Sequence, residues 1–214
     1  MDDVAARLSA LYSAVVSDAL DEIGIRHATM TPVLHGLGTP VRMVGQAATL
    51  EVVAVDEVPE ERYTVQFGAV DQLREGEIMV VAAPNVASAF WGELITTRAM
   101  VNGCVGAVVD GYSRDLHRIR GHDFGLWARG THPADSAGRL EAVRGRVPVT
   151  CAGVRVDPGD YVLADVDGVV VVPAGVVADV LELAEEKART ENTVRETLRA
   201  GATITQTYDE YGVM

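Results

Sequence analysis

The chain has 214 residues, of which 48% are apolar, 23% charged and 5% aromatic. That length buries a sizeable core and fits one domain, 1–214, better than two small ones. The formal net charge is −13, and the densest basic stretch, Arg114 to Arg120, is short and broken, which argues against a nucleic-acid surface. No apolar run approaches the roughly 20 residues of a membrane-spanning helix, and the acidic, amphipathic start MDDVAARL does not read as a signal peptide. A reducing cytoplasm is the expected setting. Cys104 and Cys151 each sit in an apolar run and read as buried thiols.

Val4, Leu8, Leu11, Val15, Val16, Leu20 and Ile23 recur at helical spacing, predicting two short helices broken near Tyr12-Ser13 and stopped by Gly24. Residues 25–45 read as loop with short extended pieces. Ala47 to Val55 reads as a strand, Tyr63 to Leu73 as a short helix, and Gly76 to Ala82 as a buried strand. A helix over Trp91 to Asn102 ends at Gly103. A second buried strand, Val105 to Asp110, ends in a Gly111 turn. Residues 76–111 therefore form a β-α-β unit with parallel pairing. Residues 121–175 hold short apolar runs between turn signals, so short strands with little helix are expected. Asp165-Val166-Asp167-Gly168 reads as a hairpin turn rather than a calcium loop. Val176 to Ala200 is one amphipathic helix, stopped by Gly201 and followed by a polar tail.

Candidate chemistry concentrates in residues 91–115. Trp91-Gly92-Glu93-Leu94 lies where loop becomes helix, and the unpaired N–H groups of a helix N-terminus attract a carboxylate. Gly92 allows a ligand close to the backbone. Tyr112-Ser113-Arg114-Asp115 follows the carboxyl end of the second buried strand, the edge where open parallel sheets gather their ligands. An oxygen-lined site suits Mg²⁺ or Mn²⁺. Asp115 is the candidate ligand, and Arg114 the fixed positive charge for an enolate. Glu93, separated from Arg114 by twenty intervening residues, is placed to hold water or relay protons. By itself an Arg-Asp pair in a loop is ordinarily a solvated pair worth little. His117, His122 and His132 do not fall at metal-ligand spacings and read as loop histidines. No Gly-rich nucleotide loop follows a strand.

The segment GAVVDGYSRDL, with WGEL upstream and VRVDPGDYVLADVDGVVVVP downstream, resembles the RraA-like family. That family includes the class II 4-hydroxy-4-methyl-2-oxoglutarate/4-carboxy-4-hydroxy-2-oxoadipate aldolases. SDALDEIG, GQAATL and the charged C-terminal helix extend the resemblance over nearly the whole chain. It implies a layered α/β sandwich of the swivelling phosphohistidine-domain type, assembled as homotrimers or homohexamers with sites at subunit interfaces. It also implies a divalent metal held by Asp115, largely through water, and pyruvate on the backbone amides of Gly92, Glu93 and Leu94. A further acid, Glu191 or else Glu186, would come from the C-terminal helix, 176–200, of a neighbouring subunit. The expected activity is retro-aldol cleavage of a small 2-oxo acid, or oxaloacetate decarboxylation, through pyruvate enolate. The alternative is a non-enzymatic regulator that binds a ribonuclease. Regulators in the family carry Gly at the position of Glu93 and an acid shortly after the Arg-Asp pair; here Leu116-His117-Arg118 follow. Aldolases carry Asp where this chain has Glu93, which leaves the role of that side chain and the substrate open.

Overall fold

Alternation along the central strands decides the layers. Met79, Val81, Ala107 and Val109 enter one hydrophobic cluster, while Ile78, Val80 and Val108 enter another on the opposite face. A strand with both faces covered needs this unbroken apolar run. The structure is a computed structural model and describes residues 2–213. Its strands are β1 (His35–Gly36), β2 (Met43–Ala54), β3 (Glu77–Ala82), β4 (Ala89–Trp91), β5 (Gly106–Ser113) and β6 (Gly125–Thr131). Then come β7 (Leu140–Gly145), β8 (Val149–Cys151), β9 (Val154–Val156), β10 (Tyr161–Asp165) and β11 (Gly168–Val172). The helices are α1 (Asp3–Ser9), α2 (Ser13–Glu22), α3 (Thr64–Asp71), α4 (Glu93–Val101), α5 (Leu116–Ile119), α6 (Val177–Arg199) and α7 (Ile204–Tyr211).

One nine-stranded sheet runs β1-β6-β5-β3-β2-β10-β11, with β4 added to β5 and β7 to β2. Strands β2, β3, β5 and β6 are mutually parallel, whereas β10, β11 and β7 pair antiparallel. The expected β-α-β unit is present as β3-α4-β5, with β3 and β5 adjacent. Helices α3 and α4 cover one face. The β8-β9 hairpin contributes to the cluster on the other face, and α1, α2 and α6 pack over β10 and β11. This mixed α/β architecture is the expected fold class. The Asp165–Gly168 hairpin turn is also found, joining β10 to β11.

Three local expectations are corrected. Strand β5 does not end at Asp110 but continues through Gly111 to Ser113. Its extension has partners on both sides: Tyr112 and Ser113 face Ala89 and Trp91 of β4, and Gly130 and Thr131 of β6. Trp91 accordingly belongs to β4, and the helix starts two residues later at Glu93. The polar tail is not irregular. Thr203 and Gln206 form a reciprocal capping box that starts α7.

Candidate active site

Parallel strands send their carboxyl ends to one edge, so the loops after β4, β5 and β6 meet there. Gly92 caps α4 in extended conformation (φ −160°, ψ −179°). Thr96 fixes this corner: its hydroxyl donates to the Gly92 carbonyl at 3.0 Å and accepts from the Trp91 indole at 2.9 Å. The Arg114 N–H donates to the Trp91 carbonyl at 2.9 Å, tying the loop after β5 to the entrance of α4. Asp115 takes the left-handed region (φ 59°) and leads into α5. Asp tolerates that conformation better than most residues. A Cβ built on Gly92 would stand 3.0 Å from Asp115 Oδ2, so glycine admits the close approach.

Gly92, Glu93, Leu94, Arg114 and Asp115 line one cavity of about 260 Å³. The structure thus brings together five of the sequence-predicted residues. Arg114 Nε lies 3.8 Å from Asp115 Oδ2, and its Nη2 lies 3.1 Å from Asp135 Oδ1. The Glu93 N–H points at Asp115 Oδ2 from 3.4 Å, and a Glu93 carboxylate oxygen accepts from the Thr97 hydroxyl at 3.0 Å. His117 and His122 do not line this cavity. Glu191 lies on α6 and accepts a hydrogen bond from Tyr12, outside the cavity of its own chain. Burial, and then that bond, push the Tyr12 hydroxyl up to about 12. Glu186, also on α6, is likewise absent from the cavity lining.

Two site residues escaped the sequence reading. Asp135 follows β6, and Tyr63 precedes α3. The Tyr63 hydroxyl donates to Asp135 Oδ2 at 3.1 Å, so Asp135 joins Tyr63 to Arg114. Burial pushes the Asp135 carboxyl up, but the Tyr63 hydroxyl, the Arg114 charge and the N–H groups of Ser136 and Ala137 outweigh it and hold the carboxyl below its usual value. Burial, followed by the bond to Asp135, raises the Tyr63 hydroxyl. No motif marks either residue. The one available signal was that Asp135 follows an apolar run that could pair beside β5.

The metal-ligating side chains that line this cavity offer only oxygen. Among the described residues no three His, Cys, Asp or Glu side chains converge as a ready cage for a metal. Asp115 Oδ2 has only long contacts, at 3.4 and 3.8 Å. One available carboxylate with room for water fits a hydrated hard cation of the Mg²⁺ type, and does not fit a zinc-type cage.

The Aldolase/RraA profile of the RraA-like group matches residues 13–171. The chain belongs to this family. It is 30% identical over 186 residues to a Halalkalibacterium halodurans protein named "Putative 4-hydroxy-4-methyl-2-oxoglutarate aldolase", covering 86% of this chain and 83% of that one. It is 26% identical over 204 residues to Protein DlpA of Legionella pneumophila; it spans 32% of that protein's length. Streptomyces coelicolor RraAS2, described as an unusual member of the RNase ES inhibitor RraA protein family, superposes with a TM-score of 0.81 at 29% identity. That match covers 91% of this chain and 96% of RraAS2. The family thus holds proteins named as aldolases and proteins described as ribonuclease inhibitors. No helix among the described residues is long and apolar enough to cross a membrane.

Proposed function

We propose that this protein is a divalent-metal-dependent carbon–carbon lyase that releases pyruvate from a small 2-oxo acid. The observation that carries the reading is the meeting of Arg114, Asp115 and the amide end of α4 in one cavity. The names of the aldolase relatives support it. Asp115, largely through water, would hold Mg²⁺ or Mn²⁺, which would supply Lewis acidity at the 2-oxo group. The N–H groups from Gly92 to Leu94 receive the substrate carboxylate. Arg114 stabilises the negative charge that grows on the 2-oxo oxygen as the bond between C3 and C4 breaks. Glu93 takes the proton of the 4-hydroxyl, directly or through water. Oxaloacetate would reach the same pyruvate enolate by loss of carbon dioxide from C4. Assembly as a trimer or hexamer, with Glu191 of a neighbouring copy completing the site, belongs to the same proposal.

The test is pyruvate release from oxaloacetate and from 4-hydroxy-4-methyl-2-oxoglutarate, with Mg²⁺ or Mn²⁺ and again after chelation. Metal-dependent release from at least one substrate is expected. Folded, metal-supplied protein that releases pyruvate from neither would defeat the reading. The likeness to RraAS2 favours a second one, a regulator that binds a ribonuclease. Stoichiometric capture of a nuclease, with no pyruvate release, would establish that alternative.

A further inference from the structure

Tyr63 stands immediately before α3 and holds a left-handed backbone (φ 65°). For a bulky aromatic residue that conformation is an outlier, and such strain persists only where the surrounding structure imposes it. Three contacts fix the residue here. Its N–H donates to Glu141 Oε1 on β7 at 3.3 Å, and its ring stacks on Phe67 of α3 with centroids 5.2 Å apart. The Arg62 guanidinium lies over the same ring, 5.7 Å from its centroid.

The strained corner does nothing for α3, because the Tyr63 side chain makes no capping bond to it. It delivers the hydroxyl to the cavity instead, where that group donates to Asp135 Oδ2 at 3.1 Å. The other oxygen, Asp135 Oδ1, meets Arg114 Nη2 at 3.1 Å. Tyr63 and Arg114 thus divide one carboxylate between them, and a carboxylate held at both oxygens cannot rotate. Among the described residues the other carboxylate contact of Arg114 is the loose 3.8 Å approach to Asp115, the residue proposed above to hold the metal. The direction of the Arg114 fork therefore depends on Asp135, and the orientation of Asp135 depends on Tyr63.

We propose that Tyr63 is a positioning residue: by fixing Asp135 it aims the Arg114 guanidinium at the oxygen where negative charge develops. Preorganised charge of this kind acts only when its direction is set before the reaction. The proposal rests on the 2-oxo acid reading above.

The experiment follows hydrogen–deuterium exchange at the methyl group of pyruvate, by proton NMR of the full chain in D2O with Mg²⁺. Exchange passes through the same enolate without cleavage: a C3 proton leaves to a base, its electron pair enters the enolate, and a deuteron from solvent returns to C3. Tyr63→Phe keeps the ring and its stack and removes only the hydroxyl. It should slow exchange at saturating pyruvate about 5-fold, the scale of one hydrogen bond, with calorimetric affinity for pyruvate retained. In an Asp135→Asn background the same change should cost nothing further, because a residue that acts through another is not additive with it. Three results would each overturn the proposal and leave the 2-oxo acid reading standing: exchange unaltered in Tyr63→Phe, an equal cost in both backgrounds, or a loss matched by weaker pyruvate binding. Absence of exchange in the unaltered, metal-supplied protein overturns both.

Discussion

Two arginine–aspartate pairs lie along β5 and the loop that continues it, and they behave differently. Inside the sheet, Asp110 accepts from Arg129 Nε on β6 at 2.6 Å and from the Ala152 N–H at 2.7 Å, so both of its oxygens are engaged. The side chains of that pair are 12% and 24% exposed. At the strand's mouth, Arg114 and its partners Asp115 and Asp135 are 40–42% exposed, and the Arg114–Asp115 contact is a loose 3.8 Å. The segment Asp110-Gly111-Tyr112-Ser113-Arg114-Asp115 thus carries one acid whose hydrogen-bonding capacity is spent on the fold and another whose capacity remains open to a ligand. A carboxylate that is fully paired stabilises; one that is half paired can exchange its partner for substrate, water or a cation without leaving a buried charge behind.

The largest effect expected from this contrast is on stability. Asp110→Ala would strand the Arg129 charge and the Ala152 N–H, and should lower unfolding stability by about 3 kcal/mol. Denaturant titration of the variant checks this; a loss within roughly 0.5 kcal/mol, the scale of an ordinary surface change, would break the distinction between the two pairs.

A smaller effect should follow at the mouth. Asp135→Asn keeps the shape but removes the charge that holds Arg114, and should cost about 10-fold in kcat/KM, the scale of one charge-assisted hydrogen bond, together with a smaller loss of stability than Asp110→Ala. The pH dependence sharpens the point. The folded Asp135 carboxyl lies below its ordinary 3.8, so its contribution is present above that value and is lost as pH falls through the lower folded value. Unfolding curves for the two proteins should therefore differ by a constant above pH 4 and converge below it. Convergence at neutral pH instead would mean that Asp135 is not held as an ion by Arg114 and Tyr63.

Much of this site is legible in the sequence, and the reason is local. The apolar run Gly76–Ala82, the helix ending at Gly103 and the run Val105–Asp110 prescribe a parallel unit, and parallel units place their ligand loops at strand ends. Gly92, Glu93, Arg114 and Asp115 could be assigned to one edge on that ground. The remainder depended on contacts distant in sequence. Strand β4 has three residues, and its recognition depends on β5 running on past Gly111. Asp135 and Tyr63 lie 72 residues apart, and their hydrogen bond follows from the meeting of loops, not from any spacing. The missed α7 is a different case, because its Thr203-to-Gln206 capping signal was present in the sequence but outweighed by the polarity of the tail.

The central claim is that the half-paired arginine at the mouth of β5 does chemistry. The direct measurement is the initial rate of pyruvate release by Arg114→Ala beside the unaltered protein, with saturating Mg²⁺ and matched circular dichroism. Loss of one preorganised charge at a developing oxyanion predicts a fall in kcat of about 100-fold or more with the fold intact. A folded Arg114→Ala protein that turns over at the parent rate would contradict the account.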